Sequence, residues 1–278
     1  MNPAIRTLGL LVSFLFLLSC HKSSDSDPNS NGSILSKVTI YTEFPYLYTD
    51  VYEFQYDSLN RVTTIIHSSG SSSNKLTIER TQQCFYKTGE MWPYKSVGFN
   101  PNEPNAEIYY TYDTRGRVIS DSCFSQFFYG YTLHKYDWYN DNVITNTTIN
   151  SNLNITPPPI QYTVDSAAIS NNNITAQYRI NRITRVPEYG SSMSYDDKVN
   201  PINTLNIHAI TDLASTGELP TFGYSKNNVT ISDDKYVGFT GQYTYKYQYN
   251  AAGLPIYCQQ TGTGASQFTK ETNYTYTN

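Results

Sequence analysis

The chain has 278 residues, a formal net charge of −4, only 15% charged residues, and 27 Tyr against 2 Trp and 12 Phe. That length suits one large β-domain or two small ones, with enough residues to bury a core. The acidic balance offers no basic stripe to phosphates, which excludes nucleic acid as a partner, and the Tyr-rich, charge-poor composition fits a secreted β-protein.

Residues 1–19 read as a targeting segment: Arg6 supplies a positive charge, and Leu8–Leu18 is an apolar run too short to span a bilayer permanently. The run ends in Leu17-Leu18-Ser19-Cys20. This resembles the bacterial lipobox, which implies cleavage before Cys20 and acylation of that residue. Residues 20–33 then form the lipidated Cys and a polar tether without a hydrophobe to pack before Ile34. The acidic pair Asp25 and Asp27 resembles the surface-export signals of some outer-membrane lipoproteins. The expected address is therefore the cell envelope, anchored to the outer membrane through lipid.

Residues 34–278 read as one β-domain of antiparallel hairpins. Val38, Ile40 and Thr42 share one face, as do Tyr52, Phe54 and Tyr56, the period-two pattern of a half-buried strand. Val62–Ile66, Leu76–Gln82, Val164–Ile169, Ile174–Ile183 and Val229–Ser232 are further predicted strands, with loops at 70–74 and Pro101–Pro104. Tyr243, Tyr245, Tyr247 and Tyr249 alternate strictly with Thr244, Lys246 and Gln248. One segment departs from the pattern: Ile202, Leu205, Ala209 and Leu213 fall at helical spacing behind Asn200-Pro201, which predicts one short helix or irregular lid over 201–213.

A short pattern recurs at FQYDSLNRVTTI from Phe54, IYYTYDTRGRVISD from Ile108 and YQYNAAGLPIYC from Tyr247. Asp57, Asp113 or Asn250 follows a Tyr directly, and Asn60, Gly116 or Gly253 stands four residues after that Tyr. Short carbonyl side chains open turns by accepting backbone amides, and Gly and Asn enter left-handed conformations cheaply. Each copy therefore reads as a hairpin. The spacing resembles the YD repeat of rearrangement-hotspot and teneurin shells; Asp113, Gly116 and Arg117 match it fully, whereas Asn60 replaces Gly, Asn250 replaces Asp and Leu254 replaces Arg. A weaker copy, KYDWYNDNV, begins at Lys135. Tyr195-Asp196-Asp197-Lys198, Asn200-Pro201, Lys226-Asn227-Asn228 and the Tyr row ending at Leu254-Pro255 resemble bacterial lipoproteins of unknown function with a proposed porin-like fold. That resemblance implies a large antiparallel sheet curved into an open or closed barrel.

No catalytic or phosphate-binding motif is present. The acids after the Tyr residues are read as turn openers and not as catalysts. Asp196-Asp197 and Asp233-Asp234 point to opposite strand faces, so neither pair converges on one ion. His21, His67, His134 and His208 lack ligand spacing, and no cofactor or metal is expected. Once Cys20 is acylated, Cys84, Cys123 and Cys258 allow at most one bridge, of undecided pairing. Tyr243, Tyr245, Tyr247 and Tyr249 could stack on a ligand or simply pack across strands. The expected function is a non-catalytic surface lipoprotein that binds or scaffolds a ligand, with the membrane and a glycan or envelope protein as partners. Two alternatives are a glycan-acting enzyme with acids in a barrel mouth, and a module that pairs through a sheet edge.

Overall fold

A computed structural model describes residues 32–43, 47–71, 75–100, 103–125, 130–139, 143–152, 160–180, 187–206, 224–236, 239–264 and 268–277. Sixteen strands run in chain order: β1 (Ile34–Thr42), β2 (Tyr48–Tyr56), β3 (Val62–Gly70), β4 (Thr77–Tyr86), β5 (Pro93–Asn100), β6 (Glu103–Tyr112), β7 (Val118–Ser125), β8 (Gly130–Tyr139), β9 (Val143–Asn152), β10 (Ile160–Ser170), β11 (Asn173–Ile180), β12 (Pro187–Val199), β13 (Asn227–Tyr236), β14 (Phe239–Tyr249), β15 (Pro255–Gly264) and β16 (Phe268–Thr277). Each pairs antiparallel with its neighbours in sequence, and β1 pairs with β16 from Ile34↔Thr277 to Thr42↔Lys270, so the meander closes into a barrel. Closure satisfies the backbone groups that an open sheet would leave at its two edges. Among the described strands it leaves no unpaired edge.

Strand register and burial together fix the two faces, although Thr49–Tyr52 of β2 are buried on both. Val38 lies between Tyr52 and Tyr274 in register, and Ile40 between Asp50 and Thr272. Val38, Tyr52, Ile40 and Asp50 are among the most buried side chains, and Tyr274 and Thr272 are 7% and 8% exposed. These residues face inward. Their sequence neighbours Lys37, Glu53 and Gln55 face outward.

The barrel has two unlike ends. Short turns join β2 to β3, β4 to β5, β6 to β7, β10 to β11 and β14 to β15 at one end, where β1 also starts. At this turn end the interior is filled: Leu35, Val38, Tyr52, Phe54, Val62, Ile65, Ile108, Tyr110, Val118 and Tyr274 form one apolar cluster. Ile202 and Leu205, from the connection after β12, complete it.

A recurring hydrogen bond ties this end together. In β2, β4, β6, β8, β12 and β16 the last inward aromatic donates to the carbonyl of the first inward residue of the preceding strand, whereas in β14 Tyr249 donates to Asp196 instead. Tyr56 reaches Leu35, Tyr86 reaches Val62, Tyr112 reaches Pro93, Trp138 reaches Val118, Tyr195 reaches Ile174 and Tyr276 reaches Pro255. A buried ring thus contributes apolar area while its polar tip caps a carbonyl at the strand start. Burial raises the hydroxyl pKa of Tyr195 to about 12 and pushes those of Tyr56, Tyr86, Tyr112 and Tyr276 higher still, so they stay donors. β10 has Ile169 at this place, paired with Ile174, and a second apolar cluster with Met193 and Val229 fills in beside it.

The expected helix is only a 3-10 turn, Asn203–Leu205. Asn200 does open it, accepting the Ile202 amide at 3.0 Å, and Asn203 Nδ2 donates to the Tyr224 carbonyl at 2.8 Å. Ala209 and Leu213 lie outside the described residues. Two boundaries also differ from expectation. β6 already includes Pro104, and Tyr195–Val199 is the end of a 13-residue strand, β12, hidden from a periodicity reading by its Gly, Ser and Asp content.

The inward rings set one expectation. Tyr112→Phe keeps the ring and loses the bond to Pro93, and should cost roughly 1–2 kcal/mol. Tyr112→Ala also leaves a cavity and should cost roughly 3–5 kcal/mol. Urea unfolding of both variants, compared with the parent, measures the difference.

Candidate functional site

The three Tyr-Asx turns share one geometry. Asp57 Oδ1 accepts the amides of Leu59 and Arg61 at 2.9 and 3.0 Å, Asp113 Oδ1 those of Arg115 and Arg117 at 2.8 and 2.9 Å, and Asn250 Oδ1 those of Ala252 and Leu254, both at 3.0 Å. Asn60, Gly116 and Gly253 take positive φ of 58°, 76° and 78°. In the first two turns Arg61 and Arg117 also donate through Nε to the other Asp oxygen, at 2.8 and 2.7 Å. Gly116 has a second constraint: a Cβ there would stand 2.3 Å from the Trp92 ring. These acids are consumed in local bonds. Burial alone would raise their carboxyl pKa, but the backbone and Arg donors outweigh it and hold Asp57 and Asp113 below the usual carboxylate range.

Above the apolar cluster the inner wall turns polar. Asp50, 1% exposed, takes His67 Nε2 on Oδ1 at 2.8 Å, and the His67 ring stacks on Tyr52 with centroids 4.5 Å apart. Asp121, 2% exposed, takes His134 Nδ1 at 2.6 Å and the Tyr136 hydroxyl at 2.6 Å. Between them on the wall, Gln82 Nε2 donates to Ser96 Oγ at 2.9 Å, and Ser96 bonds the Tyr110 hydroxyl at 2.8 Å. Asp50 Oδ2 is buried without a hydrogen-bond partner. Sequence reasoning passed over both Asp–His pairs. The available signal was phase: Asp50 alternates in step with Tyr52, Phe54 and Tyr56, which marks an acid on the buried face.

The Tyr row of β14 divides along its length. Tyr249 donates to Asp196, and Tyr247 stacks against it at 5.9 Å within the core. Tyr245 accepts Gln260 Nε2 at 3.2 Å, and Tyr243 meets Phe268 at 5.4 Å across Gly262. Tyr245 packs against both apolar clusters, and Tyr243 lies beyond it, toward the loop end. Asp196 faces in, while Asp197 is 86% exposed. Asp233 accepts Gln242 at 2.7 Å and Asp234 accepts Ser232 at 3.0 Å, so neither pair gathers on one point. Among the described residues, no three or more His, Cys, Asp or Glu side chains are placed to hold a metal ion. Cys84, Cys123 and Cys258 are free thiols, and burial raises Cys84 and Cys258 to about 12. Cys20, His21 and His208 lie outside the described residues.

No family model and no curated protein matches the chain. Among solved structures, it is similar to a porin-like protein from Bacteroides uniformis, with a TM-score of 0.54 and 14% identity, over 87% of this chain and 96% of that one. This likeness shows the fold: an all-β antiparallel meander with a porin-like neighbour.

The turn acids give a pH expectation. A carboxyl held below its unfolded value adds stability that is present above the unfolded pKa and is lost as pH falls through the folded one. Stability should therefore decline below about pH 4. In D57N/D113N, which keeps the Oδ1 acceptors and loses both charges, the urea midpoint should fall less steeply over the same acid range.

Proposed function

We propose that this chain is a lipid-anchored envelope protein, held at the outer membrane or cell surface through an acylated Cys20, whose barrel stands in water and serves as a non-catalytic binding or scaffolding module. The observation that carries this reading is the polarity of the wall. A barrel that crosses a membrane turns an apolar band outward and keeps a polar interior. Here the outward positions include Lys37 and Glu53, paired at 3.3 Å, and Lys95 and Glu107, paired at 2.8 Å. Gln55, Gln83, Thr111, Lys135, Lys246 and Gln248 are outward and exposed as well. Outward rings such as Phe85 and Tyr109 are interleaved with these charges: the Lys95 ammonium lies 5.9 and 5.2 Å from the two ring centres. A charge at the bilayer midplane of a barrel costs roughly 2–4 kcal/mol for Lys or Arg.

The interior supports the same reading. Its turn end is packed with Tyr52, Phe54, Ile65 and Leu205. The non-catalytic reading is supported by how the described acids are used. Asp57 and Asp113 hold turns, and Asp50 and Asp121 each hold a neighbouring His. A glycan or an envelope protein is the ligand class we favour, met from the loop end, where Tyr243 and Tyr245 offer ring faces.

Three measurements test this. Cys20→Ala should move the protein from the membrane fraction to the soluble one. Residues 21–278, made without lipid, should stay monodisperse in detergent-free buffer and give no conductance steps in a planar bilayer. A glycan array probed with that soluble form should show binding weakened by Tyr243→Ala. Detergent dependence or stepwise conductance would overturn the water-facing barrel.

A further inference from the structure

Near the loop end, the inner wall from β14 round to β2 carries a lysine. Lys270 pairs in register with Thr42 on one side and Gln260 on the other, and Thr42 pairs in turn with Tyr48. Two residues on, Thr272 lies buried between Ile40 and Cys258, so Lys270 shares its phase and faces the interior. Lys37, Lys95, Lys135 and Lys246 face outward instead. Lys37 and Lys95 have carboxylate partners there. The Lys270 ammonium has a ring: it lies 5.6 Å from the Phe268 centre. An ammonium turned into a barrel loses hydration, and a ring face returns only part of it.

The surroundings of Lys270 select what would complete it. Phe268 stands one inward step nearer the loop end and meets Tyr243 across Gly262, the two ring centres 5.4 Å apart. Phe268 and Lys270 are half-buried and Tyr48 is 38% exposed, so rings and cation all keep accessible surface. The acids nearby are engaged or turned away. Asp50, one step deeper than Tyr48, is 1% exposed and holds His67. Glu43 and Glu271 both act on Tyr257, on the outer face. Asp234, across β14 and β15 from Lys270, accepts the Ser232 hydroxyl at 3.0 Å. The charge that this strip presents is therefore positive, and it is set beside aromatic faces and the neutral polar groups of Gln260 and Thr42.

We infer that this strip is a subsite for an acidic saccharide: a sugar ring bearing a carboxylate, its C–H face on Phe268, its carboxylate on Lys270 and its hydroxyls on Gln260 and Thr42. A sugar ring has an apolar face that stacks on an aromatic, and a carboxylate forms the charge-assisted bond that the ring cannot give Lys270. This deepens the glycan reading proposed above and rests on it.

The experiment uses the mature lipidated protein in mild detergent, titrated by calorimetry with uronic-acid oligosaccharides and with the same oligosaccharides after reduction of their carboxyl groups. The acidic form should bind at least about tenfold more tightly than the reduced form, and the difference should shrink as salt rises from about 0.05 to about 0.5 M. Lys270→Gln should remove the preference, Lys270→Arg should keep most of it, and Phe268→Ala should weaken both forms. Lys246→Gln, on the outer face, should change neither. Urea midpoints near that of the parent show that the variants fold, and if Phe268→Ala does not, the two Lys270 variants decide. Equal binding of the two forms, or a preference that survives Lys270→Gln, overturns the acidic subsite and leaves the glycan reading standing. If neither form binds and a glycan array is also blank, both readings fall.

Discussion

The turn end of this barrel depends on one bond repeated around it: an inward aromatic donating to the carbonyl that opens the neighbouring strand. Strand starts are weak points in a sheet, since the ladder has not yet begun and the carbonyl there lacks a strand partner. Solvating that carbonyl with water would wet the core. Tyr112 instead delivers a donor on the end of a ring, so that Pro93 is satisfied from inside the apolar cluster. Pro at such a start gives up an amide that the ladder does not use. The Asx turn that follows the Tyr completes the device. Asp113 holds Arg115 and Arg117 in place, which sets the register in which Tyr112 faces Val118 and therefore faces in.

This explains why Tyr stands at positions 56, 86, 112, 195 and 276. A phenylalanine would fill the same volume and strand the carbonyl. Where the ring is missing, at Ile169, the fold closes the gap with a separate apolar cluster and with the return of the β12–β13 connection, whose Lys226 amide reaches the Asn172 carbonyl at 3.0 Å and whose Tyr224 ring lies 5.5 Å from Trp138.

Strand class, hairpin turns and face alternation were legible in the sequence because each is local. Asp57 with Asn60, Asp113 with Gly116, and Asn250 with Gly253 each act within five residues, and a period of two is visible in any short window. The closure of β1 on β16 was not legible: Val38 meets Tyr274 through no local signal, and an open sheet has the same alternation. β12 was missed because its inward positions include Ser191 and Met193, which do not stand out from loop composition. Of the short helix or irregular lid expected over 201–213, the described part is a 3-10 turn. Ile202 and Leu205 do turn toward the core, but a single 3-10 turn satisfies that spacing as well as a helix does. The role of the Tyr hydroxyls was also out of reach, since each acceptor belongs to a different strand.

The likeness to a porin-like structure and the polarity of the wall pull in opposite directions, and physical chemistry decides between them. Strand count and meander order describe how the backbone closes; they do not say which side of the wall meets lipid. That is fixed by side chains, and here Tyr52, Ile40 and Ile65 are on the inside while Lys37, Glu53 and Lys246 are on the outside. A strand cannot exchange its faces without slipping by one residue, which would break every Asx turn at its end and carry each latching Tyr out of the core. On the reading proposed above, attachment to a membrane comes from outside the wall, and acylation of Cys20 supplies it.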